Sequence, residues 1–88
     1  MEISQDALSR YIRNRSEDLR KCREYFGTKN FEEIERIGHK LKGNGSTFGF
    51  PDLSKIGMEL EVHAKKEDLS ALQKVLESLA RWLREKTN

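Results

Sequence analysis

The sequence predicts an all-α protein, an antiparallel four-helix bundle with a short additional helix at its N-terminal end. Apolar residues recur at alternating spacings of three and four along most of the chain, and no stretch alternates with period two, so helices are expected and a sheet is not. The periodic segments are separated by short connections, which brings consecutive helices side by side in opposite directions. With 88 residues, 35% hydrophobic and 36% charged, the chain has material for one modest core inside helices with heavily solvated outer faces. Residues 1–88 are therefore read as a single domain.

Helical periodicity starts at about Ser4, with Leu8, Tyr11 and Ile12 on one face and Leu19, Cys22, Tyr25 and Phe26 continuing it. A break is expected at Asn14 to Ser16, because Ser16 followed by Glu17 and Asp18 resembles a cap with acid in the first turn. That break produces the short first helix. Gly27-Thr28-Lys29-Asn30 reads as a stop and a turn, and Asn30 with Glu33 three residues on is a capping-box pattern opening the next helix. This helix carries Phe31, Ile34, Ile37, Leu41 and Phe48 on one face, and Phe50-Pro51 closes it. Pro51 suits the first turn of a third helix, whose apolar face is Leu53, Ile56, Leu60 and Ala64. After the charged turn from Lys65 to Asp68, the last helix presents Leu69, Leu72, Leu76, Leu79 and Leu83, with Trp82 at the flank.

A formal net charge of +2, spread through alternating signs, makes no basic stripe of the kind that neutralises many phosphates. Nucleic acid is not an expected partner. No apolar run is long enough to span a membrane, and no start resembles a secretory signal. Cys22 is the only cysteine, so no intramolecular disulfide forms, and its place between Leu19 and Phe26 predicts burial as a small apolar side chain. These features together lead to the expectation of a cytoplasmic chain, monomeric given its charged exterior.

On an ideal helix His39 points about 150° away from the centre of the Phe31–Phe48 stripe, among Glu32, Glu35, Arg36, Lys42, Gly43 and Ser46. It should stand in water. Gly38, Gly43, Gly45 and Gly49 crowd the same segment although each costs a helix about 1 kcal/mol relative to alanine. Gly38, Gly45 and Gly49 lie along one edge of the apolar stripe, where a missing side chain lets a neighbouring helix come close. Gly43 follows His39 by one turn on the exposed side, where packing does not require it, and clears space beside the imidazole for a partner.

A neutral imidazole is a good nucleophile toward an activated phosphoryl donor. Lys42, one turn away, can stabilise a transferred phosphoryl group, and Lys40 and Arg36 add positive field. Phosphoryl transfer also needs in-line positioning and, in general, Mg²⁺, and the chain has neither a phosphate-cradling loop nor an acidic cluster to supply them. The partner has to bring that machinery. The residues describe a passive carrier loaded and unloaded by other proteins, without an ATP site or kinase activity of its own and with no intrinsic cofactor or metal.

His39-Lys40-Leu41-Lys42-Gly43, then Gly49, Leu53 and Leu60-Glu61, closely resemble the signature of the histidine-containing phosphotransfer (HPt) domain of two-component phosphorelays. The resemblance covers the central third by motif and nearly the whole chain by helix layout. It implies that His39 is phosphorylated on Nε2, that Lys42 assists electrostatically and that Gly43 admits the aspartate site of a response-regulator receiver domain. The expected docking face also takes in the neighbours of His39 on the helix, Arg36, Lys40 and Ser46. Donor and acceptor are then phospho-aspartates on receivers, which hold the Mg²⁺, with a hybrid sensor kinase as a further candidate partner. Two positions depart from the pattern: Gly38 stands where alanine is common, and Gly45 where a small residue with a Cβ is frequent.

A competing reading is a non-phosphorylated, HPt-like interaction module that binds a receiver or kinase domain. Keeping His39, Lys42 and Gly43 together favours the carrier, since binding alone has no need of that set. His63 falls near the edge of the apolar face of its helix beside Glu59 and Glu67, and a structural or solvated role is expected. His39, His63 and a buried Cys22 are too few to make a metal site. Phe31, Phe48, Phe50 and Trp82 are expected in the core, and Arg81, Arg84 and Lys86 on a solvated face.

Overall fold

The apolar stripes of four helices close on one core in a computed structural model, which describes residues 3–87; Met1, Glu2 and Asn88, at the ends of the expected 1–88 domain, lie outside the described residues. The helices are α1 (Gln5–Thr28), α2 (Phe31–Asn44), α3 (Pro51–Lys65) and α4 (Leu69–Thr87). They form a ring in which α1 touches α2 and α4, and α3 touches α2 and α4. Short connections make each helix antiparallel to the next. Ile34, Leu41, Leu53, Leu60, Leu72, Leu79 and Cys22 are fully buried at the centre; each large aliphatic side chain contributes about 1.5–3 kcal/mol on leaving water.

The expected break at Asn14 to Ser16 is absent, and with it the short extra helix. Helix α1 runs unbroken for 24 residues from an N-cap at Ser4, whose side chain accepts the backbone N–H of Ala7. The polar stretch that suggested a break is a buried ion pair inside the helix. Arg15 Nε lies 2.9 Å from Asp18 Oδ2, both side chains are nearly sealed from solvent, and the guanidinium stacks 4.4 Å above the Tyr11 ring. Tyr11 and Arg15 also donate to the Asn44 side-chain oxygen at the end of α2. The Ser16 hydroxyl bonds back to the carbonyl of Ile12 within the same helix, so it caps nothing.

Helix α1 ends within the expected stop at Gly27 to Asn30, whereas the cap and the end of α2 differ from expectation. Lys29 takes the left-handed conformation that ends α1, and the N–H groups of Lys29 and Asn30 are spent on the carbonyls of Phe26 and Tyr25. Asn30 does occupy the N-cap position of α2, but its side chain makes no capping bond, and Glu33 pairs with Arg36 instead of reaching back to it. Helix α2 then stops at Asn44, four residues before Phe48. The following turn places Phe48 against Tyr11, stacked at 4.0 Å, and Phe50 edge-on to Trp82 at 5.1 Å. This aromatic plug closes one end of the bundle.

Pro51 opens α3 as expected, and the Asp68 side chain caps α4 by accepting the N–H of Ala71. Cys22 is buried, and loss of solvation pushes its thiol up to about 12, which leaves it protonated and inert. Among the described residues, no helix is long and apolar enough to cross a membrane.

Glycines let α2 and α3 approach closely. A Cβ on Gly38 would stand 2.7 Å from the backbone nitrogen of Glu61 and 2.7 Å from the carbonyl oxygen of Gly57. A Cβ on Gly57 would in turn collide with the backbone nitrogen of Lys42. Gly45 is equally tight against Ser54, at 2.6 Å from its nitrogen. The packing role expected for Gly38 and Gly45 is therefore observed, Gly57 belongs with them, and Gly49 does not. Gly49 has open space around it and a φ of +88°, the left-handed backbone of the turn before Phe50.

Candidate functional site

The reciprocal glycine contact sets two side-chain-bearing residues, Lys42 of α2 and Glu61 of α3, at the narrowest point of the interhelical seam. His39 stands beside them on the solvent side of α2, with 70% of its side chain exposed. Its helix position decides this, because the core stripe of Ile34, Ile37, Gly38 and Leu41 occupies the opposite face.

Glu61 joins the other two. One carboxylate oxygen, Oε2, lies 2.8 Å from His39 Nδ1, and the other, Oε1, accepts from Lys42 Nζ at 2.7 Å. Lys42 first, and His39 second, hold the Glu61 carboxyl below the usual carboxylate value. An ionised carboxylate can only accept, so Nδ1 carries the proton in this contact. In the neutral ring Nε2 then holds an available lone pair, on a side chain that is mostly exposed.

Gly43 has nothing within 4 Å of where a Cβ would lie, so the surface one turn past His39 is open. Lys40 is exposed on α2, about 100° around the helix from His39. Arg36 pairs with Glu33, 3.3 Å away. Ser46 lies past the end of α2, where its N–H and hydroxyl both bond to the Ser54 hydroxyl, at 2.7 and 3.0 Å, fastening the turn to α3. The structure thus brings His39, Lys42 and Gly43 together and leaves Arg36 and Ser46 at the margins. His63 stands apart on α3, half-buried, with a sealed Nδ1 that makes no hydrogen bond among the described residues.

Reading the sequence for site residues missed Glu61. It lies 22 residues from His39, at the end of the α3 apolar stripe three residues before Ala64, and it belongs to the Leu60-Glu61 pair of the signature, where it was given no role. Such an acid on a core-facing position is a cue that a partner cation lies on the next helix. Met58 and Val62 were also missed as surface features. They are exposed large apolar side chains one turn apart on α3, and Met58 precedes Glu61 by three residues, on the same side of the helix. No group of three or more His, Cys, Asp or Glu side chains able to hold a metal occurs among the described residues.

Searches of curated proteins and of solved structures returned no match to this chain. The family model of the Hpt domain matches residues 6–85, a span that takes in all of α2 and α3 and nearly all of the outer two helices. Hpt domains are the histidine phosphotransfer modules of phosphorelays, and a four-helix bundle with no strand among its described residues agrees with that assignment. On that match the chain belongs to the Hpt domain family.

Proposed function

We propose that this protein is a phosphocarrier that takes a phosphoryl group on His39 Nε2 from the phospho-aspartate of one receiver domain and passes it to another. The observation that carries this reading is the Glu61 contact on Nδ1, which fixes the tautomer and leaves Nε2 as the nucleophile of a mostly exposed side chain beside the Lys42 ammonium. In the transfer the Nε2 lone pair attacks phosphorus, the bond from phosphorus to the receiver carboxylate oxygen breaks, and the carboxylate leaves with the electron pair. The Nδ1 proton stays on the ring. Lys42 offsets the charge on the phosphoryl oxygens.

Both Glu61 oxygens are engaged by His39 and Lys42, and the lysine repels a cation at this spot. That is in keeping with what the HPt resemblance implies, that the Mg²⁺ assisting the transfer is held by the receiver. The open surface at Gly43 admits the receiver, while Lys40 on α2 and Met58 and Val62 on α3 form the rim on which it sits. The test is transfer of label from a panel of phospho-receivers to wild-type protein, His39→Gln and Lys42→Ala. Acid-labile label is expected on wild type, none on His39→Gln, and a reduced rate on Lys42→Ala. Receiver binding without label on folded wild type would instead establish a binding-only module.

A further inference from the structure

The unphosphorylated site pairs two cation-capable groups with one carboxylate, and the pairing has to change when Nε2 is loaded. Before loading, the Glu61 carboxylate is matched by the Lys42 ammonium at 2.7 Å, and the nucleophilic form of the ring, with its one proton on Nδ1, donates to the same carboxylate at 2.8 Å. Attack by the neutral ring leaves Nδ1 protonated, so the ring acquires positive charge as the N–P bond forms. A multiply charged phosphoryl group with three acceptor oxygens now stands on Nε2, and Lys42 is three residues from His39 on the same exposed side of α2. The other charged groups around the ring are Glu35, Arg36 and Lys40 on α2 and Lys65 on α3, one turn beyond Glu61.

We propose that Glu61 is a positioning residue that holds Lys42 while Nε2 is empty and hands it to the phosphoryl group when Nε2 is loaded. This rests on the phosphocarrier reading of His39. After loading, the charged ring replaces Lys42 as the counter-ion of Glu61, and Lys42 becomes the counter-ion of the phosphoryl group. Each anion keeps a partner on both sides of the reaction. The lysine is suited to the exchange, having a flexible stem and three donors, with 42% of its side chain exposed against 11% for Glu61. Glu61 is the fixed member, because Gly38 lets its backbone pack directly against α2. The exchange lowers the net gain from Lys42 in the loaded state by the strength of the Glu61 contact it gives up, which keeps phospho-His39 easy to unload.

The test is a double-mutant cycle on the equilibrium between a phospho-receiver and phospho-His39, using wild type, Glu61→Gln, Lys42→Ala and the double variant. Glu61→Gln preserves size and an oxygen acceptor for Nδ1–H, and circular dichroism checks each fold. Lys42→Ala is expected to shift the equilibrium toward the receiver in both backgrounds, and by about two- to fivefold more when Glu61 is Gln, because the lysine then gives up nothing to reach the phosphoryl group. Equal shifts in the two backgrounds, with His39 still labelled, overturn the exchange and leave the carrier intact. Absence of acid-labile label on folded wild type overturns the carrier reading and the exchange with it.

Discussion

Gly38 faces Glu61 across the α2–α3 seam so closely that a methyl group on Gly38 would lie 2.7 Å from the Glu61 backbone nitrogen. One residue along α2, His39 receives the Glu61 carboxylate on Nδ1. The absence of a side chain at position 38 is thus what brings a carboxylate from the neighbouring helix to the candidate nucleophile. Alanine at 38 gains about 1 kcal/mol of helix propensity, but its Cβ meets main-chain atoms that cannot move independently of α3.

Gly38→Ala is accordingly expected to destabilise the bundle by about 1–3 kcal/mol despite the better helix former. It should also separate Glu61 from His39. Urea unfolding measures the first effect, and loss of the Nδ1–H signal in ¹⁵N spectra of the imidazole reports the second. Unchanged stability and an unchanged tautomer would show that the helices can part without cost.

Stability should fall in acid partly through Glu61. Lys42 and His39 hold its carboxyl below the usual value, so the folded state binds this proton less readily than the unfolded chain. The stabilisation is present above the unfolded carboxylate value of about 4.3 and is lost as pH falls through the lower folded value. Unfolding midpoints of wild type and Glu61→Gln between pH 3 and 6 are expected to converge toward the acid end. Parallel curves would mean that the carboxylate has no favourable interaction in the folded state.

Gly43→Glu should leave the fold unharmed, because the space beyond position 43 is open, and glutamate is a better helix former. Stability within about 0.5 kcal/mol of wild type is expected. Phosphoryl transfer from a receiver should drop by about tenfold or more through steric and like-charge obstruction of docking. Transfer at the wild-type rate would move the docking surface away from Gly43.

Asp18→Asn should be among the most damaging single changes in α1. It leaves the Arg15 guanidinium nearly buried without its counter-charge, which costs about 3–5 kcal/mol in comparable sites. Thermal unfolding reads this directly. A loss below about 1 kcal/mol would show that stacking on Tyr11 and the bond to Asn44 suffice for Arg15.

Much of the candidate site was legible because helix periodicity is local. His39, Lys42 and Gly43 lie within five residues, so 3.6 residues per turn places them on one exposed face without knowledge of any other helix. Pro51, the leucine ladder of α4 and the burial of Cys22 were readable for the same reason. Misreadings arose where a local pattern had two physical meanings. The polar run Asn14-Arg15-Ser16 can end a helix or supply a buried ion pair, and only contact with Asn44 on α2 distinguishes the two. Gly49 can permit close packing or a left-handed turn, and its φ of +88° depends on how the chain folds back to seat Phe50.

The sequence by itself determined the amphipathic stripes of the bundle, the solvent exposure of His39 and its company of Lys42 and Gly43, since each follows from spacing along one helix. Only the tertiary structure decided that Glu61 reaches His39 and Lys42 together, and that Gly38 and Gly57 set the distance at which it does so. A pairing across 22 residues depends on the separation and rotation of two helices, and those are settled by the packing of every residue at their interface rather than by the pattern along either one.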